Sequence, residues 1–105
     1  MDEKLAETCF KIIAEVGMAR SNFIDAIEAI KKGDEEESKR LVKEGEEHFN
    51  IGHKIHSELI QKEANGEGVA PNLFLIHAED ILMSAETFKI LSEQFIDLYK
   101  SINKH

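Results

Sequence analysis

Residues 73–102 read LFLIHAEDILMSAETFKILSEQFIDLYKSI, a stretch without proline or glycine. One seam through it steps alternately by three and four, as in a coiled coil: Phe74, His77, Ile81, Ser84, Phe88, Leu91, Phe95, Leu98 and Ile102. An adjacent seam runs Leu73, Ile76, Asp80, Met83, Thr87, Ile90 and Gln94. The spacing predicts one long helix with more apolar surface than a small monomer needs. One seam can pack inside the subunit, and the other faces water unless another chain covers it. The pattern therefore predicts an oligomer with this helix at its centre. A broad core stripe in a monomer is the plainer alternative.

Upstream, the breaks fall at Lys32-Gly33-Asp34 and at Asn65-Gly66-Glu67-Gly68-Val69-Ala70-Pro71. Leu5, Cys9, Ile12, Val16, Ala19, Phe23, Ile27 and Ile30 keep the helical period before the first break. Gly33 suits a helix C-terminus, because glycine enters the left-handed region without penalty. Asp34 follows as an N-cap, with Glu37 at capping-box spacing. Glu35, Glu36 and Glu37 place negative charge where the helix dipole favours it. The second helix carries Leu41, Gly45, Phe49, Gly52, Ile55 or His56, and Leu59 on one stripe. Its two glycines lower helix propensity but let a neighbouring helix come close. Pro71 marks the start of the third helix, since proline is tolerated in a first turn. The expected fold is all-α: an antiparallel three-helix bundle with helices at about 3–32, 34–65 and 71–103, each about 42–50 Å long. Residues 1–105 form a single domain.

The chain has 105 residues, 42% hydrophobic and 32% charged, with a formal net charge of −8. Such an acidic balance argues against a nucleic-acid binder or an anionic membrane surface as partner. No apolar run reaches the ~18 residues of a membrane span, so no direct membrane insertion is expected. The acidic start MDEKLAETCF is unlike a signal peptide. Cys9 is the lone cysteine, which excludes an internal disulfide and fits a reducing compartment. The expected localisation is cytoplasmic.

His77 and Asp80 interrupt the apolar stretch and, three residues apart, share a helix face. Burying either without a partner costs several kcal/mol. A neutral histidine at the rim of a hydrophobic interface offers one ring nitrogen as a nucleophile. A carboxylate one turn away can orient the ring, offset its charge or bind a cation. A core histidine satisfied by Asp80 or a carbonyl is the bland alternative. His53 and His56 form an H-x-x-H that could hold a metal, although no third ligand is evident. His48 and His105 read as solvent-facing, Met18 and Met83 as core, and Arg20 as the partner of an acid or of a phosphate.

Four segments together resemble the IIA component of the lactose and cellobiose (N,N′-diacetylchitobiose) family of the bacterial phosphoenolpyruvate-dependent sugar phosphotransferase system. Gly17-Met18-Ala19-Arg20-Ser21 is similar to that family's G-x-A-R-S, and Gly33-Asp34 to its G-D turn. His53 with Leu59-Ile60-Gln61-Lys62-Glu63-Ala64 is similar to A-H-x-x-Q-T-x-L-I-Q-x-E-A. Leu75 to Ala85, LIHAEDILMSA, is similar to L-V-H-A-Q-D-H-L-M-T-A. The resemblance implies a homotrimer in which His77 is phosphorylated by the carrier HPr and passes the group to a IIB component. It implies that Asp80 gathers at the trimer axis, where it can bind Mg²⁺ or another divalent ion, with no organic cofactor. Three carboxylates brought together repel unless a cation or a proton neutralises them. His53 and Glu79 are the expected binding or orienting residues beside His77.

The departures are Glu79 for the family's Gln, Ile81 for its second His, Gly52 for Ala, and His56-Ser57 for Gln-Thr. The resemblance implies uptake of a β-linked disaccharide, cellobiose or chitobiose or lactose, bound by a IIC permease that this component reaches only indirectly. A non-catalytic helical scaffold or regulator is the competing function. A two-component phosphotransfer domain fits less well, because Ala78-Glu79-Asp80 follows His77 where a basic residue and a glycine are usual.

Overall fold

The structure is a computed structural model and describes residues 3–103. Three helices account for the fold: α1 (Glu3–Lys31), α2 (Glu35–Ala64) and α3 (Leu73–Asn103). They form a rod 56 × 21 × 19 Å. The expected bundle is the observed one.

Both turns are built by the same local chemistry. Gly33 has φ +83° and Gly66 has φ +80°, the left-handed region that favours glycine. After α1, the Asp34 N–H reaches Ala29 O at 3.0 Å and the Gly33 N–H reaches Ile30 O at 2.9 Å. After α2, Glu67 N–H to Lys62 O (2.8 Å) and Gly66 N–H to Glu63 O (3.1 Å) repeat that pattern. Each turn is thus a Schellman motif that satisfies otherwise unpaired carbonyls. The Asp34 side chain caps α2 by accepting the Glu37 N–H at 3.1 Å. The return arm of the expected capping box does not form, because the Glu37 carboxylate pairs with Arg40 instead. At α3 the expectation of a start at Pro71 is corrected. Asn72 is the cap, its Oδ1 accepting the Leu75 N–H at 2.9 Å, and the helix begins at Leu73.

The core is organised around α1, which packs against both other helices, while α2 and α3 meet only sparsely. Cys9, Ile12, Val16, Ala19, Phe23 and Ile30 are fully buried, close to the stripe read from the sequence. The α2 glycines explain how tightly the helices approach. A Cβ on Gly45 would sit 2.7 Å from the Phe23 ring, and one on Gly52 would collide with Val16. The buried polar residue Ser38 is satisfied by donating to Ala26 O at 2.9 Å.

Helix α3 departs from expectation. Its buried stripe is Ala78, Leu82, Ala85 and Ser92, which belongs to neither seam. Ile81, Ser84 and Phe88 of the first seam are half-buried, whereas Phe74 and the run Leu91, Phe95, Leu98 and Ile102 are exposed. Of the two seams, the second is the one that faces outward, with Leu73 80%, Ile76 57%, Met83 67% and Ile90 53% exposed. Met18 and Met83, expected in the core, are both exposed. None of the helices is long and apolar enough to cross a membrane, among the described residues.

Candidate functional site

His77 lies one turn into α3 and is exposed. Phe74, one turn earlier, packs its ring against Phe10 of α1 with centroids 4.7 Å apart. That pair forms an aromatic shoulder beside the histidine. Further along the same stripe, Ser84 accepts a hydrogen bond from Arg20 Nε at 2.9 Å. The Arg20 guanidinium lies 4.8 Å from the centroid of Phe88. Arg20 therefore rests on a hydroxyl and an aromatic face rather than on an acid, the first of the two partners, acid or phosphate, expected from the sequence.

Neither ring nitrogen of His77 has a protein hydrogen-bond partner among the described residues, and Asp80 is likewise exposed and unpaired. The two share the outer face of α3 without a hydrogen bond between them. A core histidine is thereby ruled out. An exposed imidazole, free at both nitrogens in the subunit, is open to attack an electrophile brought by another molecule.

The other two expected site residues lie elsewhere. Glu79 Oε1 is 2.7 Å from His56 Nε2, so its carboxylate faces α2. Residues two apart on a helix diverge by about 200°. His77 therefore points away from α2 while Glu79 points toward it. His53, on α2, is exposed and stacks on Phe49 with centroids 5.8 Å apart, and Lys89 of α3 sits 5.6 Å from the centroid of the same Phe49 ring. Within one chain, His77 and Asp80 come together, and Glu79 and His53 do not join them.

The remaining histidines differ from expectation too. His48, anticipated as solvent-facing, is only a quarter exposed, with Nδ1 2.7 Å from Glu15 Oε2. His105 lies outside the described residues. His53 and His56 turn to different partners, one stacking on Phe49 and the other bound to Glu79. No group of three His, Cys, Asp or Glu side chains positioned to hold a metal occurs among the described residues. Around Asp80, therefore, one chain offers no ready-made set of metal ligands among the described residues. The Cys9 thiol is pushed above the ordinary thiol range, first by burial and then by the Glu79 carboxylate. Burial and the raised pKa both disfavour it as a nucleophile. The partnership of His56 with Glu79 was missed from the sequence, and the one available signal was the pair of departures at those positions.

Comparison with known proteins matches residues 7–100 to the family described as "PTS system, Lactose/Cellobiose specific IIA subunit". The chain is 38% identical over 104 residues to the lichenan-specific phosphotransferase enzyme IIA component of Bacillus subtilis (strain 168), covering 99% of this chain and 94% of the relative. It is 39% identical over 102 residues to the oligo-beta-mannoside-specific EIIA component of the same organism, covering 97% and 90%. Among solved structures, the cellobiose-specific enzyme IIA from Bacillus anthracis superposes with a TM-score of 0.94 at 38% identity, covering 99% of this chain and 95% of that one.

Proposed function

The chain belongs to the lactose/cellobiose-specific IIA family of the phosphotransferase system, and from that membership we propose that His77 is its phosphoryl acceptor. The donor is phosphorylated HPr and the recipient a IIB component. The observation that carries this reading is an exposed imidazole without an intramolecular partner, set in the segment that most resembles the family pattern.

In the proposed step, the lone pair of one neutral His77 nitrogen attacks the phosphorus of phospho-HPr in line with the N–P bond. As the new N–P bond forms, the old one breaks, and its electron pair returns to the carrier's imidazole. The protein's share is positioning and charge stabilisation. The same transfer, run outward, loads IIB. His77 stands just past the first turn of α3, where the positive helix end still favours the added negative charge modestly. Exposure serves both exchanges, because two different proteins must reach the same ring in turn.

Self-association belongs to the same proposal. The outer seam of α3 has Ile76, Met83 and Ile90 flanking a lone charge at Asp80. A homotrimer with α3 at its centre covers that seam and gathers three Asp80 carboxylates, which Mg²⁺ or another divalent ion would neutralise. The names of the relatives, specific for lichenan, oligo-beta-mannosides and cellobiose, support a β-linked sugar as the one transported. A cellobiose-type disaccharide, with cytoplasmic work beside a IIC permease, belongs to the same proposal.

The test is incubation with phosphoenolpyruvate, enzyme I and HPr, read by intact mass. One acid-labile phosphoryl group is expected on the wild type, and His77→Ala should lose at least a thousandfold in the rate of uptake. Undiminished labelling of His77→Ala would refute the assignment, and no labelling of the wild type would favour a scaffold.

A further inference from the structure

We propose that His56 is a positioning residue for phosphoryl transfer, acting on His77 through Glu79; the inference rests on the phosphocarrier reading above. Glu79 lies two residues after the acceptor and directly before Asp80. A glutamate side chain at that position has two surroundings within reach. One is the α2 side, where it meets His56. The other is the outer face of α3, because Ile76 and Met83, three before and four after it, border Asp80 there.

The hydrogen bond to His56 selects the first. An ionised carboxylate only accepts, so His56 Nε2 carries the hydrogen and donates at 2.7 Å. The donor is the better anchored of the two, its side chain 14% exposed against 43% for Glu79. The carboxylate also helps to push up the pKa of Cys9, a fully buried α1 residue. Its charge therefore lies on the side of α3 that faces the bundle. Among the described residues this is the one hydrogen bond joining α2 to α3, two helices that otherwise touch little.

The consequence is electrostatic. Phosphorylation gives the His77 ring a charge approaching −2, on a face that already holds Asp80. A Glu79 carboxylate released from His56 samples that face and opposes the incoming phosphoryl group. Held by His56, it stays about half a helical turn away, partly offset by its donor. His56 itself touches neither His77 nor the phosphoryl group.

The experiment compares wild type, His56→Ala, Glu79→Gln and the double variant in the rate of phosphoryl acceptance from phospho-HPr, by rapid quench. His56→Ala is expected to slow acceptance about fivefold at low salt, a penalty that shrinks as ionic strength rises. The double variant is expected to recover the rate of Glu79→Gln alone, since no stray charge remains. His56→Leu keeps bulk without a donor and repeats the comparison should the alanine variant fail to fold. Acceptance at the wild-type rate by His56→Ala or His56→Leu overturns the proposal. A double variant as slow as the single His56 variant also overturns it, because a merely structural strap would not be rescued by removing a charge. Failure of the wild type to accept any phosphoryl group is a separate outcome and strikes the phosphocarrier reading itself.

Discussion

Helices α1 and α3 are nearly equal in length, 29 and 31 residues, yet they use their apolar side chains in opposite ways. Helix α1 buries its large ones, Ile12, Val16, Phe23 and Ile30, between two neighbours. Helix α3 turns small residues inward, Ala78, Ala85 and Ser92 beside Leu82, and leaves Leu73, Ile76, Met83, Ile90, Leu98 and Ile102 outside. The first arrangement holds one subunit together. The second adds little to that subunit and leaves a row of large apolar side chains exposed, the kind of face that marks an interaction surface. His77 and Asp80 sit on that face, so in the proposed function the surface used for chemistry is also the surface offered to other chains.

Charges on the outer seam give the largest expected effect. Ile76→Glu with Met83→Glu places unpaired charge in every copy of a joint built on α3. Light scattering should then show single chains, with helix content by circular dichroism unchanged. Helix loss together with dissociation would mean that the seam belongs to the subunit core, and the contrast between α1 and α3 would fail.

Phe23→Ala makes the converse change. Phe23 is fully buried and lies against Gly45, so truncation should cost about 3–5 kcal/mol in urea unfolding. Loss of less than about 1 kcal/mol would show that α1 is not the spine of the bundle. A smaller effect, near 1 kcal/mol, is expected for Asp34→Ala, which removes the acceptor for the Glu37 N–H at the head of α2. That change should leave assembly and phosphorylation untouched, and so calibrates the stability of the subunit apart from its outer face.

Much of this was legible in the sequence. Gly33-Asp34 announced a helix stop and start, and large residues at helical spacing marked the buried face of α1. His77 and Asp80 stood out because polar groups in an apolar run need a reason. The inner stripe of α3 was hidden for a physical cause. Alanine and serine pack closely yet contribute weakly to an apolar pattern, so the bulkier outward seams dominated the reading. The positions of Glu79, His48 and His53 depend on which neighbouring helix each meets, and one-dimensional periodicity does not encode that. Asn72 was passed over as the α3 cap because Pro71 beside it gave the more obvious signal.

Static light scattering on the unmodified protein across the micromolar range tests most directly whether the outward face of α3 is an interface. The mass of three chains, steady on dilution, is the result predicted here. A one-chain mass at every concentration, with His77 still accepting a phosphoryl group, would contradict it.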